Sequence, residues 1–112
     1  MCGIAGAWGD INTETVKAMM NDLTHRGPDD EGLCVHAPGQ AAFGHRRLSI
    51  MDPEGGMQPF QDGAVALISN GEFYNWQTLR EQLEPHTTFH TSSDAEVAFQ
   101  LLNHHGHEAV PN

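Results

Sequence analysis

Met1–Asp10 reads MCGIAGAWGD, and the reading of its cysteine decides what the rest of the chain is for. Residues 2–8, CGIAGAW, are short, apolar and bounded by Gly9 and Asp10, the pattern of a buried strand whose glycines let neighbouring backbone approach closely. On that pattern alone Cys2 is a small hydrophobe at a strand end, the usual role of a free cysteine. Its position offers a second role. A residue as small as cysteine permits removal of the initiator methionine, after which Cys2 would carry both a thiol and a free α-amino group. Nucleophile and base would then sit on one residue.

The chain has 112 residues, the size of one modest domain with a single core. Five basic residues against fifteen acidic ones give a formal charge of −10, which disfavours a phosphate backbone or an anionic membrane surface as partner. Neither nucleic acid nor membrane is expected. No apolar run approaches transmembrane length and the N-terminus lacks the basic-then-apolar pattern of a signal peptide, so a cytoplasmic location is expected. In a reducing compartment Cys2 and Cys34 are expected to be free thiols.

After the first strand, Val16, Met19, Met20 and Leu23 recur at helical spacing behind the capping candidates Asn12 and Thr13, and HRGPDD stops the pattern at Gly27 and Pro28. The texture then changes to short strands. GLCVHA (32–37), a turn at Pro38 and Gly39, and AAFGHRRLSI (41–50) predict a hairpin, followed by a Gly- and Pro-rich loop, MDPEGGMQPF (51–60). AVALISN (64–70) predicts a buried strand that turns at Asn70 and Gly71, and an Asn-Gly pair between apolar runs is by itself a hairpin signal. WQTLREQLE (76–84) predicts a helix ended by Pro85, TTFHT (87–91) a brief strand, and Ser93 or Asp94 the cap of a last helix carrying Val97, Ala98, Leu101 and Leu102 and closed near Gly106. Strands and helices in this order are α+β texture.

MCGIAG, HRGPDDEG, GHRRLSIMD, QPF, NGEFYNWQTLR and TSSDAEV stand in one order along the chain. In that order and spacing the sequence resembles the glutaminase domain of class II glutamine amidotransferases, most closely the asparagine synthetase and β-lactam synthetase branch, from Met1 to about Gly106. The resemblance implies an N-terminal nucleophile hydrolase: a four-layer αββα sandwich with antiparallel sheets, of which residues 1–112 are the N-terminal part. It also implies that later strands, and a synthetase domain using ATP and magnesium, are absent from these residues. The implied reaction is hydrolysis of glutamine to glutamate and ammonia, the ammonia serving asparagine synthesis from aspartate and ATP in the full-length enzyme. Glutamine and the synthetase domain are the implied partners, and a homodimer of the full-length enzyme is compatible with the resemblance. A catalytically inactive remnant, or an interaction module of the same family, is the alternative that an early stop at Asn112 raises.

By the same resemblance Cys2 is the nucleophile, while the Asn70 side chain and the Gly71 backbone N–H form the oxyanion hole. Arg47 takes the α-carboxylate of glutamine, for which a guanidinium fork is better suited than an ammonium. Asp94 takes the α-ammonium, with Glu72 assisting, although Asp94 also competes for the role of helix cap. Strand alternation sends Arg46 and Arg47 to opposite faces, so only one of them is expected in the pocket. Arg26 and Asp29 are expected to brace the loop. The histidines of HHGH (104–107) lack a companion ligand set of zinc spacing and suit a helix C-terminus, so no metal site is expected.

Overall fold

The computed structural model describes residues 2–36, 40–48, 57–63 and 65–109. The opening segment forms strand β1, Gly3–Trp8, in which burial alternates strictly over Gly3, Ile4, Ala5 and Gly6. Odd-numbered residues turn toward helix α1, Thr13–Asp22, whose first turn is capped by the Asn12 side chain accepting the Glu14 N–H at 3.0 Å. Val16 and Met20, one turn apart, are buried on this helix and join Ala5 and Ala42 in the core. Ile11, Leu23 and Leu33 pack against its edge. Met19, expected in the same stripe, is 40% exposed instead. Small residues on the sheet make a narrow seat that only one methionine fills, and that is Met20: a side chain at Gly44 would meet its Sδ at 2.0 Å.

Strand β3, Ala41–Arg47, is central in a three-stranded antiparallel sheet, between β1 and β2, Asp30–His36. The register sets Gly3 opposite Arg46 and Trp8 opposite Ala41 on one side, and Asp30 opposite Arg47 and His36 opposite Ala41 on the other. β2 therefore starts two residues before the predicted strand. The turn expected at Pro38 and Gly39, residues 49–50 of the predicted hairpin strand and residues 51–56 of the expected loop lie outside the described residues.

The sheet face away from α1 is met by a small second sheet, the antiparallel pair β4, Phe60–Asp62, and β5, Val65–Leu67. Here the structure corrects the sequence reading twice. Phe60, placed in a loop, begins a strand, and in the strand predicted over 64–70 the residues 68–70 are not strand. Backbone packing and side-chain bonds join this hairpin to β2: Gly32 lies so close to the Gln58 carbonyl that a Cβ would come within 2.0 Å of its oxygen, and the Cys34 thiol donates to Gln61 Oε1 at 2.9 Å. Behind the hairpin lie α2, Trp76–Leu83, and α3, Asp94–His105, with Phe99 of α3 stacked on Phe60 at 5.9 Å between ring centroids.

A 3₁₀ turn, Glu84–His86, follows α2 and contains Pro85. The strand predicted at 87–91 does not form. Its backbone groups are taken by side chains: the Glu96 carboxylate accepts the N–H groups of His90 and Thr91, and Arg80 donates to the Thr91 carbonyl at 2.8 Å while its guanidinium lies 4.2 Å over the Phe89 ring. Local β-propensity loses to partners supplied by two helices. The architecture is α+β with antiparallel sheets. No helix among the described residues is long and apolar enough to cross a membrane.

Candidate functional site

The candidate residues lie on three elements, the first of which is the C-terminal end of β3. Gly3 opposite Arg46 carries Cys2 to the end of the β1–β3 ladder, where its half-buried thiol lies 3.9 Å from the Leu48 carbonyl oxygen. Arg46 and Arg47 point to opposite faces, as alternation requires. Arg46 turns to the α1 side, where its Nε donates to the Gly27 carbonyl at 3.1 Å and its Nη1 pairs with Glu31. Arg47 occupies the other face, 5% exposed, in line with His45 and Phe43. The HRGPDD loop is laced to it through the Asp29 N–H, which donates to the Arg47 carbonyl at 3.0 Å, and through a bridge between Pro28 and Arg47. Gly27 is required there, because a Cβ would lie 2.2 Å from the Arg46 carbonyl carbon.

The second element is the segment leaving β5. His45 is 1% exposed, and its Nε2 lies 3.0 Å from the Ser69 carbonyl oxygen. The Ser69 N–H donates to Gln58 Oε1 at 2.6 Å. Asn70, Gly71 and Glu72 follow at once and are exposed. They do not form the hairpin that an Asn-Gly pair signals: no strand follows within 71–75, and Gly71 is not at positive φ. Nothing lies within 4 Å of a Cβ built on Gly71, so its backbone faces open space.

The third element is the N-terminus of α3. Both Ser93 and Asp94 were cap candidates in the sequence; the structure gives the cap to Ser93, whose hydroxyl accepts the Ala95 N–H at 3.2 Å. Asp94 is left for another task. It is 8% exposed, and its Oδ2 accepts the Phe73 N–H at 2.8 Å, tying α3 to the residue after Glu72. Thus Cys2 and Arg47 lie at one end of the β1–β3 ladder, and Asp94 is bonded to the residue that follows Asn70, Gly71 and Glu72.

Burial is the first cause of the lowered pKa of His45; proximity to Arg47 lowers it further, against the raising effects of the Ser69 carbonyl and Asp30. Three side chains that organise this site drew no role from the sequence. His45 shares its strand face with Arg47, two residues away, and that parity is a signal the sequence does carry. Gln58 lies in QPF but has no local mark of its partner. Glu96 accepts from the Thr91 hydroxyl as well as from two amides, and so fixes the turn before Asp94. At the other end of α3, His104 bonds to the Thr87 hydroxyl. Among the described residues no group of three His, Cys, Asp or Glu side chains is placed to hold a metal.

Comparison with known proteins fits this arrangement. A family model described as "Glutamine amidotransferase domain" matches residues 1–112. Asparagine synthetase [glutamine-hydrolyzing] 2 of Arabidopsis thaliana is 41% identical over 117 residues, covering 98% of this chain and 20% of the relative. Asparagine synthetase [glutamine-hydrolyzing] 1 of Bacillus subtilis (strain 168) is 40% identical over 120 residues, covering 98% and 19% respectively. A second Bacillus subtilis asparagine synthetase [glutamine-hydrolyzing] is 37% identical, with 95% of this chain and 15% of the relative covered. The chain spans about a fifth of the length of the first two relatives.

Proposed function

The chain belongs to the glutamine amidotransferase domain family, and from that premise we propose that residues 1–112 carry the glutamine-hydrolysing site of an enzyme with an N-terminal cysteine nucleophile. The observation that supports this reading best is the placement of Cys2 and Arg47 at the same end of the β1–β3 ladder, with Asp94 bonded to the segment that carries Asn70 and Gly71. On this reading the α1 layer, the two sheets and the α2–α3 layer belong to a four-layer αββα sandwich.

The chemistry follows from the groups. With Met1 removed, the α-amino group of Cys2 has an ordinary pKa of about 7.7–8.0 and takes the thiol proton near neutral pH. Arg47 receives the α-carboxylate of glutamine in a planar fork, and Asp94 receives the α-ammonium. A carboxylate that accepts one backbone N–H is fixed in place and still has lone pairs for an ammonium. Glu72 adds a second acceptor. The thiolate adds to the side-chain amide carbon, and the oxyanion that forms is met by the Asn70 amide and the Gly71 N–H. Protonation of the leaving nitrogen releases ammonia and leaves a γ-glutamyl thioester, which water opens to glutamate while the thiol is regenerated. Ammonia then passes to a synthetase domain that uses ATP and magnesium for asparagine formation, and no residue described above is assigned to either. A cytoplasmic setting completes the proposal.

The test is a glutaminase assay on the intact protein with Met1 retained and removed, the state of the terminus read by mass spectrometry. Retention makes the Cys2 nitrogen a peptide nitrogen, whose lone pair is delocalised into the carbonyl and cannot take a proton near neutral pH. Hydrolysis by the processed form alone is the expected result. Comparable turnover in both forms overturns the N-terminal nucleophile mechanism.

A further inference from the structure

Oxyanion donors act only if they are in place before charge develops, with a tolerance of roughly 0.5 Å. Asn70 and Gly71 are exposed, belong to no helix or strand and sit on a segment with open space beside it. Their own surroundings do not hold them, so the fixing comes from the two ends of the segment: downstream Asp94 takes the Phe73 N–H, and upstream a second hold is needed.

Ser69 supplies it. Its N–H is bonded to Gln58 Oε1 at 2.6 Å and its carbonyl oxygen to His45 Nε2 at 3.0 Å. Each bond fixes one planar peptide unit. The second unit runs from the Ser69 carbonyl to the Asn70 nitrogen and Cα, so fixing it sets where the Asn70 side chain and the next N–H, that of Gly71, begin. The two clamping side chains are themselves held. His45 is 1% exposed on the central strand, and the Gln58 backbone is seated on β2 at Gly32, where no side chain would fit. The Cys34–Gln61 bond, three residues on, anchors the same stretch. The acceptor at Ser69 is a carbonyl, so the His45 ring carries its proton on Nε2.

We propose that His45 and Gln58 are positioning residues that hold the Ser69 peptide, and through it the Asn70 and Gly71 donors, against the central strand. The inference rests on the oxyanion role proposed above for that pair. It assigns the pocket a division of labour: Arg47 and Asp94 hold glutamine, whereas His45 and Gln58 hold what stabilises the transition state.

The experiment compares His45→Leu, which removes the donor, with His45→Gln, whose Nε2 can restore it, in the intact protein. Two readouts are taken: hydrogen exchange at the Ser69 amide, resolved by fragmentation mass spectrometry, and kcat and KM for glutamine hydrolysis. His45→Leu is expected to speed Ser69 exchange about tenfold or more and to lower kcat by about tenfold to a hundredfold with KM changed less than about threefold, since the binding groups stay in place. His45→Gln is expected to recover most of both. Gln58→Leu, which leaves β3 untouched, is expected to show the same loss of kcat without a matching change in KM, and it decides the matter if His45→Leu does not fold. Unchanged Ser69 exchange in His45→Leu, or equal loss of kcat with Leu and Gln at 45, overturns the proposal. If the unaltered, processed protein hydrolyses no glutamine, the reading of the site falls instead, and the exchange comparison alone decides whether His45 holds Ser69.

Discussion

The two faces of the three-stranded sheet are built on different principles. On the α1 face Ala5, Val16, Met20 and Ala42 pack as a small apolar core, with Gly44 leaving room for the Met20 thioether and Arg46 bonded to Gly27 and Glu31 at the strand end. On the other face the contacts are directional: Cys34 to Gln61, His45 to Ser69, and the Gln58 carbonyl pressed on Gly32. Packing without direction stabilises a fold but tolerates a small slide of one element over another. Hydrogen bonds with fixed donors and acceptors tolerate much less, so they set positions. One sheet therefore separates the task of being stable from the task of being exact.

The sharpest way to break that contrast is the same substitution on both faces. Gly32→Ala drives a methyl group into backbone, since a Cβ there meets the Gln58 carbonyl oxygen at 2.0 Å. We expect it to cost about 3 kcal/mol in denaturant unfolding and to lower kcat in the remaining folded protein, because Gln58 must withdraw from Ser69. Gly44→Ala meets Met20 Sδ at the same 2.0 Å, but a methionine side chain can re-seat. The expected loss is about 1–2 kcal/mol, with kcat per folded molecule unchanged. Equal effects on kcat would erase the distinction between the faces.

Arg46 and Arg47 carry the contrast within one dipeptide. Arg47→Lys is expected to raise KM for glutamine about tenfold or more while ammonia-dependent synthesis by the intact enzyme persists, since an ammonium cannot reproduce the fork. Among the described residues Arg46→Lys disturbs the bonds to Gly27 and Glu31, and its effect on KM should stay below about threefold. Equal losses would show that both arginines serve the pocket.

The smallest expected effect is on the pH dependence of stability. His45 is held below its ordinary value of 6.5 by burial first and by Arg47 next, with the Ser69 carbonyl and Asp30 opposing. The unfolded chain therefore binds a proton more readily than the folded one. Its contribution to stability is fully present above about pH 6.5 and falls away as pH drops through the lower folded value. The stability advantage of the unaltered chain over His45→Gln should therefore be larger at neutral pH than at pH 5, the two unfolding midpoints drawing together as pH falls. A difference independent of pH would show that His45 takes its proton as easily folded as unfolded.

How much of this was legible in the sequence varies with the range of the interaction. β1, α1, the central strand and the opposite facing of Arg46 and Arg47 follow from periodicity, which is local. The family resemblance nominated Cys2, Asn70, Gly71, Glu72 and Asp94, and the structure adds that Asp94 is bonded to Phe73, the residue after the 70–72 segment. β4 escaped, and β5 was read too long, because three-residue strands offer no alternation to count. The 87–91 segment misled because its threonines and phenylalanine have strand propensity, whereas its backbone partners come from Arg80 and Glu96, one helix before it and one after. The Ser69 clamp joins residues 11 and 24 positions away. No pattern within a short window records a partner at that distance.

The two thiols give the molecule a stopwatch. A thiolate is what reacts with an alkylating reagent, and Cys34 is 2% exposed, has its pKa raised by burial, and spends its S–H on Gln61. Cys2 is half-buried at a strand end. A maleimide added in excess would therefore consume Cys2 first and reach Cys34 only in the moments when the β4–β5 hairpin lifts off the sheet. The slow second labelling rate, divided by that of an unhindered thiol, reads out the fraction of time the layers stand apart.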